Sequence, residues 1–178
     1  NELVIKRVIH TTADFDYADN LTFSDHAVQK GIAALKSGCD IVTDTQMAKA
    51  GINKTILASL GGEVHCFMSD PDVAQEARSR GVTRAFVSME KAAALEKPCI
   101  FAIGNAPTAL LSLEQLMEEG KAAPALIIGV PVGFVNVEIS KERIIEKARA
   151  PYIVARGRKG GSNVAAAICN ALLYQIRR

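Results

Sequence analysis

Tryptophan is absent from the 178 residues, and the other aromatics amount to three tyrosines and six phenylalanines. A core short of large rings has to be built from Ala, Val, Ile and Leu, which suits a buried parallel sheet under helices. No C-x-x-C pair occurs. Cys39, Cys66, Cys99 and Cys169 each sit alone in an apolar or helical run. Their spacing argues against a zinc site or a disulfide framework and reads as buried free thiols in a reducing cytoplasm. His10, His26 and His65 form no metal-ligand spacing with each other or with the cysteines, so no metal is expected. No apolar run approaches the ~20 residues of a membrane span, and no signal peptide is visible. The phosphate loop G-x-x-x-x-G-K-[ST] is missing, as is a G-x-G-x-x-G after the first strand, which leaves nucleotide and dinucleotide binding without support. A dominant charge is missing as well. Lys and Arg number 21 against 19 Asp and Glu, a formal +2, which argues against a broad nucleic-acid surface.

What is present is apolar and regularly punctuated. Hydrophobic residues make up 49% and charged residues 22%, enough for the core of one globular domain. Short apolar runs alternate with amphipathic stretches. Strands are expected over 39–44, 63–69, 98–105, 124–133 and 151–157. Helices are expected over 21–38, 45–52, 70–81, 107–120, 140–149 and 162–178. Gly38, Gly81 and Gly120 stand as exits, Pro71 and Pro107 at first positions, and Ser24 or Thr22, Asp70 and Ser140 as caps. Val164, Ile168, Leu172 and Ile176 form a stripe at spacings of four on the last helix. This alternation predicts a mainly parallel sheet of about five strands in three α/β/α layers, a single domain over 1–178.

In such sheets ligands bind beyond the carboxyl ends of the strands. Those ends are "TDTQM", "MSDPD", "AIGNAPTA", "IGVPVGFVN" and "ARGRKGGSN". The last one places Arg156, Arg158 and Lys159 before Gly160 and Gly161, with Ser162 and Asn163 opening a helix. Glycines allow close backbone approach, the first helical amides are unpaired, and arginines grip carboxylates in two-bond forks. The loop suits an anionic ligand. It is also readable as a solvated basic loop with an ordinary cap at Ser162. "AIGNAPTAL" puts Asn105 and Thr108 around Pro107, either a polar cradle for substrate or a plain helix start. "GVPVGFVN" is a rigid, largely apolar loop, either one wall for a flat hydrophobic ligand or a connection.

His10 ends an apolar turn in "KRVIHTTADFDY" and precedes two threonines and two acids. It is either a structural histidine or the reactive group of a site. His26 reads as a surface residue and His65 as a core or near-core one.

Together, "RVIHTTADFDYADNLTFS", "DTQMAKAGI", "AIGNAPTAL", "GVPVGFVN" and "ARGRKGGSNVAAAICNAL" resemble the precorrin-8X and cobalt-precorrin-8 methylmutases, from about Ile5 to the end. The resemblance implies a flavodoxin-like fold, a homodimer, and an isomerase of cobalamin (vitamin B12) biosynthesis. Such an enzyme moves a methyl group from carbon 11 to carbon 12 of the ring of precorrin-8 or cobalt-precorrin-8, giving hydrogenobyrinate or cobyrinate, with no cofactor. Its R-x-I-H motif falls on Arg7 to His10. This implies His10 as the catalytic acid/base and Arg7 as a substrate contact. Thr11 in the same block, and Asn105, Thr108, Arg156 and Ser162 in other matching blocks, are carried over as substrate-binding residues; Lys159, Gly160 and Gly161 join them from the reading of the basic loop itself. Family members carry more chain ahead of this motif, so a further N-terminal segment is expected. A non-catalytic corrinoid or tetrapyrrole binder and a nucleotide-phosphate enzyme are the competing readings.

Overall fold

The computed structural model of the chain describes residues 1–147 and 149–177. It opens with α1 (Glu2–Thr12), α2 (Tyr17–Asn20), β1 (Leu21–Phe23), α3 (Ala27–Lys36) and β2 (Asp40–Thr43). Then come α4 (Gln46–Gly51), α5 (Lys54–Ser59), β3 (Val64–His65), α6 (Pro71–Arg80) and α7 (Arg84–Ala93). The last part holds β4 (Cys99–Ile103), α8 (Pro107–Glu118), β5 (Leu126–Gly129), α9 (Val137–Lys147), β6 (Tyr152–Ala155) and α10 (Ser162–Arg177).

The six strands lie in the order β1-β6-β5-β4-β2-β3. All pairs are parallel except β1 with β6. Without β1, the five parallel strands follow the flavodoxin-like order 2-1-3-4-5. Alternation along the strands divides the core. Ile41, Ile100, Ala102, Leu126, Ile128, Ile153 and Ala155 face the layer that includes α1, α3 and α10. Val42, Phe101, Ile103, Ile127 and Val154 face α7, α8 and α9. Burial on both faces accounts for the near-continuous apolar runs seen in the sequence.

The short helices α2 and α5 and the helix α7 were not expected, β3 is shorter than the expected 63–69, and two further differences move expected caps. Leu21–Phe23 is not the first turn of a helix but a sixth, antiparallel edge strand, with Leu21 opposite Ala155 and Phe23 opposite Ile153. Ser24 closes it, its amide donating to the Tyr152 carbonyl and its Oγ accepting from the Tyr152 amide. The helix therefore begins at Ala27. Second, α9 starts at Val137, so Ser140 lies buried inside the helix, donating to the Val137 carbonyl at 2.8 Å, rather than capping it. The expected ends of α9 and α10 touch Ala148 and Arg178, which lie outside the described residues. Asp70 holds the N-cap position of α6 but makes no capping hydrogen bond, its carboxylate accepting instead from Lys91 Nζ at 2.7 Å. Thr45, Asn53 and Thr83 accept the amides of Ala48, Ile56 and Phe86. All four cysteines are buried and free. No helix among the described residues is long and apolar enough to cross a membrane.

Candidate active site

The strand order reverses between β2 and β4, the switch point where open α/β sheets take their ligands. Here the seat is filled from within. Asp44, which follows β2 and is 2% exposed, turns its carboxylate toward the start of α8. Oδ1 accepts from the Gly104 amide at 2.8 Å, and Oδ2 from the amides of Asn105 and Ala106 at 2.8 and 2.6 Å. Burial pushes this carboxyl up, while the three backbone donors stabilise its charged form. The anion-binding amides at the α8 start are thus occupied, which counts against a nucleotide phosphate there. Asn105 is exposed on this turn and Thr108 half-buried.

Beside it, the hydroxyls of Thr45 and Ser162 meet at 2.7 Å, tying the starts of α4 and α10 together. Glycines permit the contact. A Cβ on Gly104 would come 2.7 Å from the Gly161 carbonyl oxygen and 2.8 Å from Ser162 Cα, and one on Gly160 would collide with the Val130 carbonyl. The Gly161 amide donates to that same carbonyl at 2.9 Å.

The basic loop after β6 is charge-compensated. Arg156 forks onto Glu142, with Nε and Nη2 at 2.9 and 2.7 Å from the two oxygens. Arg158 lies 3.7 Å from Glu138 and stacks over the Phe134 ring. Lys159 reaches across to the turn after α1 and bonds both Asp14 and Asp16 at 2.6 Å. Those carboxylates are exposed competitors that a ligand carboxylate can displace, since surface pairs of this kind are weak.

Lys159 thus joins the loop to the helix of the R-x-I-H motif. α1 packs along α10 with Val4 and Val8 fully buried, which turns Arg7 and His10 outward. Arg7 stacks on Tyr174 at 4.6 Å. Leu3, Lys6, Arg7 and His10 then face Ala171, Tyr174 and Gln175 across a hollow of about 260 Å³. Large apolar side chains stand exposed on neighbouring segments: Phe15 in the turn after α1, Met47 on α4, and Val132, Phe134 and Val135 in the loop before α9.

The sequence-derived candidates form two groups. Arg7, Thr11 and His10 share the α1 flank, His10 and Arg7 lining the hollow. Arg156, Lys159, Gly160, Gly161, Ser162, Asn105 and Thr108 crowd the carboxyl ends of β4 and β6, with Lys159 reaching the turn after α1. No hydrogen bond or shared cavity joins Asn105 or Thr108 to His10 among the described residues. Asp44 and Thr45 were missed as site-building residues, although an Asp-Thr pair directly at a strand end is a visible sign. Lys141 was missed too. It lies fully buried in α9, with Nζ donating to the carbonyls of Gly157 and Lys159 at 2.8 and 3.0 Å.

This geometry has known counterparts. A family model described as precorrin-8X methylmutase matches residues 1–175. The chain belongs to the precorrin-8X methylmutase family. It is 50% identical to the cobalt-precorrin-8 methylmutase of Salmonella typhimurium, over 99% of this chain and 82% of that one. Identity to the cobalt-precorrin-8 methylmutase of Priestia megaterium is 47%, over 95% of this chain and 75% of the relative. The precorrin-8X methylmutase of Pseudomonas aeruginosa is 40% identical, over 96% and 82%. Among solved structures, the precorrin-8x methyl mutase of Thermus thermophilus superposes with a TM-score of 0.89 at 39% identity, covering 99% of this chain and 86% of that one. A precorrin-8X methylmutase related protein gives 0.88 at 32%, covering 97% and 90%. Membership makes the chain an isomerase of cobalamin biosynthesis rather than a non-catalytic tetrapyrrole binder.

Proposed function

We propose that the chain moves a methyl group from carbon 11 to carbon 12 of precorrin-8 or cobalt-precorrin-8, giving hydrogenobyrinate or cobyrinate, with His10 as the acid/base group. The shift is intramolecular. Nothing is gained or lost overall, so the protein has to fix the ring's conformation and hold a proton in place. The observation that carries the reading is the α1–α10 hollow, where His10 projects beside Arg7 and Tyr174. An imidazole can place a proton on the conjugated ring near the migrating methyl, and a guanidinium beside it can hold a carboxylate of the fringe. The exposed apolar residues Phe15, Phe134 and Val135 suit the ring face, and the loop of Arg156 to Ser162 suits the acetates and propionates.

The hollow of about 260 Å³ falls short of the ~300–1,000 Å³ that encloses drug-sized ligands. A tetrapyrrole with its carboxylate arms is at least that large, so one chain covers only part of it. This supports a homodimer in which a second copy closes the site. Titration of the purified protein with hydrogenobyrinate, followed by absorbance, tests the reading, with sedimentation run on the same samples. Stoichiometric binding by a dimer, with a spectrum altered by His10→Ala, is expected. Binding by a monomer with a spectrum indifferent to His10 would overturn it.

A further inference from the structure

Lys141 stands out among the charged groups. It lies at 0% exposure in a charged stretch of α9, where lysines are almost never fully buried without a partner. Its partners are not carboxylates. Among the described residues no acid comes within ion-pair reach of Nζ, and both hydrogen bonds go to backbone carbonyls of the loop after β6, those of Gly157 and Lys159. The carbonyl between them, on Arg158, accepts from the Gly133 amide at 3.1 Å. Three consecutive carbonyls are therefore drawn toward the protein. The amides of Gly157, Arg158, Lys159 and Gly160 have no protein acceptor among the described residues. The loop's own basic side chains pair with Glu142, Glu138, Asp14 and Asp16, whereas Lys141 beneath them makes no ion pair among the described residues and feels Glu138 only from beyond ion-pair distance.

We propose that Lys141 is a positioning residue for substrate binding: its buried ammonium holds the carbonyls of Gly157 and Lys159 inward, so that the amides of 157–160, with a buried positive charge beneath them that makes no ion pair, receive one carboxylate of the tetrapyrrole. The proposal rests on the reading of this loop as part of the binding rim. A lysine kept only for stability would be a poor choice here, because burying an ammonium carries a large desolvation penalty that carbonyls offset only in part. The observed arrangement instead spends that burial on the shape and field of one loop.

The test compares the unsubstituted chain with Lys141→Met, which keeps the apolar stem, and Lys141→Gln, which keeps an N–H donor. Dissociation constants for hydrogenobyrinate, KM and kcat are measured beside hydrogen exchange, without ligand, of the Gly133, Arg156 and Gly161 amides, which are hydrogen-bonded on or against the loop. We expect Lys141→Met to weaken binding and raise KM by about 10–100-fold with a smaller change in kcat, as misplacing a binding loop does. Exchange of the Gly133, Arg156 and Gly161 amides should rise, while α1 and α10 keep the parent's protection. Lys141→Gln should recover part of the affinity. Parent-like binding and exchange in Lys141→Met would overturn the proposal. So would free-chain exchange of the Gly133 and Gly161 amides, which bond to or anchor the loop, in the unsubstituted protein, a result that needs neither variant to fold. If the unsubstituted protein binds no hydrogenobyrinate although its loop is protected, the rim reading fails and not the clamp.

Discussion

The guanidinium of Arg156 holds the carboxylate of Glu142 in a two-bond fork of 2.9 and 2.7 Å. The pair is solvent-exposed, and the fork holds the Glu142 carboxyl below the usual carboxylate range. A substrate carboxylate arriving at Arg156 has to displace Glu142. Glu142→Gln removes the competitor, so hydrogenobyrinate should bind up to about fivefold more tightly, with the gain shrinking as salt is added. Arg156→Ala should move the dissociation constant the other way. Titrations at two salt concentrations check both, and weaker binding in Glu142→Gln would assign Glu142 a supporting role instead.

Asp44 is the internal anion of the switch point. Removing it strands three backbone donors that are buried or partly buried at the start of α8. Asp44→Ala should lower stability by about 2–4 kcal/mol, read from denaturant midpoints. Formate, which can sit on the same amides, should restore part of that loss in Asp44→Ala and have no such effect on the parent. Parent-like midpoints without formate would contradict the arrangement.

Gly160 has no room for a side chain, since a Cβ there meets the Val130 carbonyl. Gly160→Ala has to push the loop off the end of β5 and disturb the bond from the Gly161 amide to Val130. A stability loss of about 1–3 kcal/mol is expected, together with weaker hydrogenobyrinate binding. Unchanged thermal denaturation and unchanged affinity would show that the loops are not locked as described.

Burial lowers Lys141 from its usual 10.5 to about 8. Between those values the folded chain binds fewer protons at this site than the unfolded chain. Folding stability from this group therefore rises with pH across the window, by at most about 3 kcal/mol. The parent should gain on Lys141→Met in denaturant midpoints as pH climbs from about 8 toward 10.5, with a constant difference below the window. A difference that stays flat or falls through that range would contradict the burial of the ammonium.

How much of this was legible in the sequence follows from the range of the interactions. Runs such as "PCIFAIGN" and "PYIVARG" announce strands because both sheet faces are buried, and Pro107 and Gly81 mark helix ends by local chemistry. β1 escaped because "LTF" runs straight into a helical pattern, and only its pairing with Ile153–Ala155 makes it a strand. α7 was not read either, although Thr83 caps it locally. The candidate residues were found as residue types at strand ends, but their partners were not. Asp44 acts on amides some sixty positions away, and Arg156 meets an acid on another helix. Lys141 stands in "SKER", where every local signal reads as solvated surface. Its burial arises from where α9 crosses beneath the loop.

Whether His10 serves the methyl shift is decided by single-turnover conversion of precorrin-8 to hydrogenobyrinate, followed by absorbance, with the parent and His10→Ala. Because His10 is exposed on α1, the variant should keep the parent's melting temperature within a degree or two. Its rate should be lower by about 10²–10⁴-fold, with hydrogenobyrinate still bound. Parent-like conversion by a folded His10→Ala would contradict that role and move the chemistry to another residue.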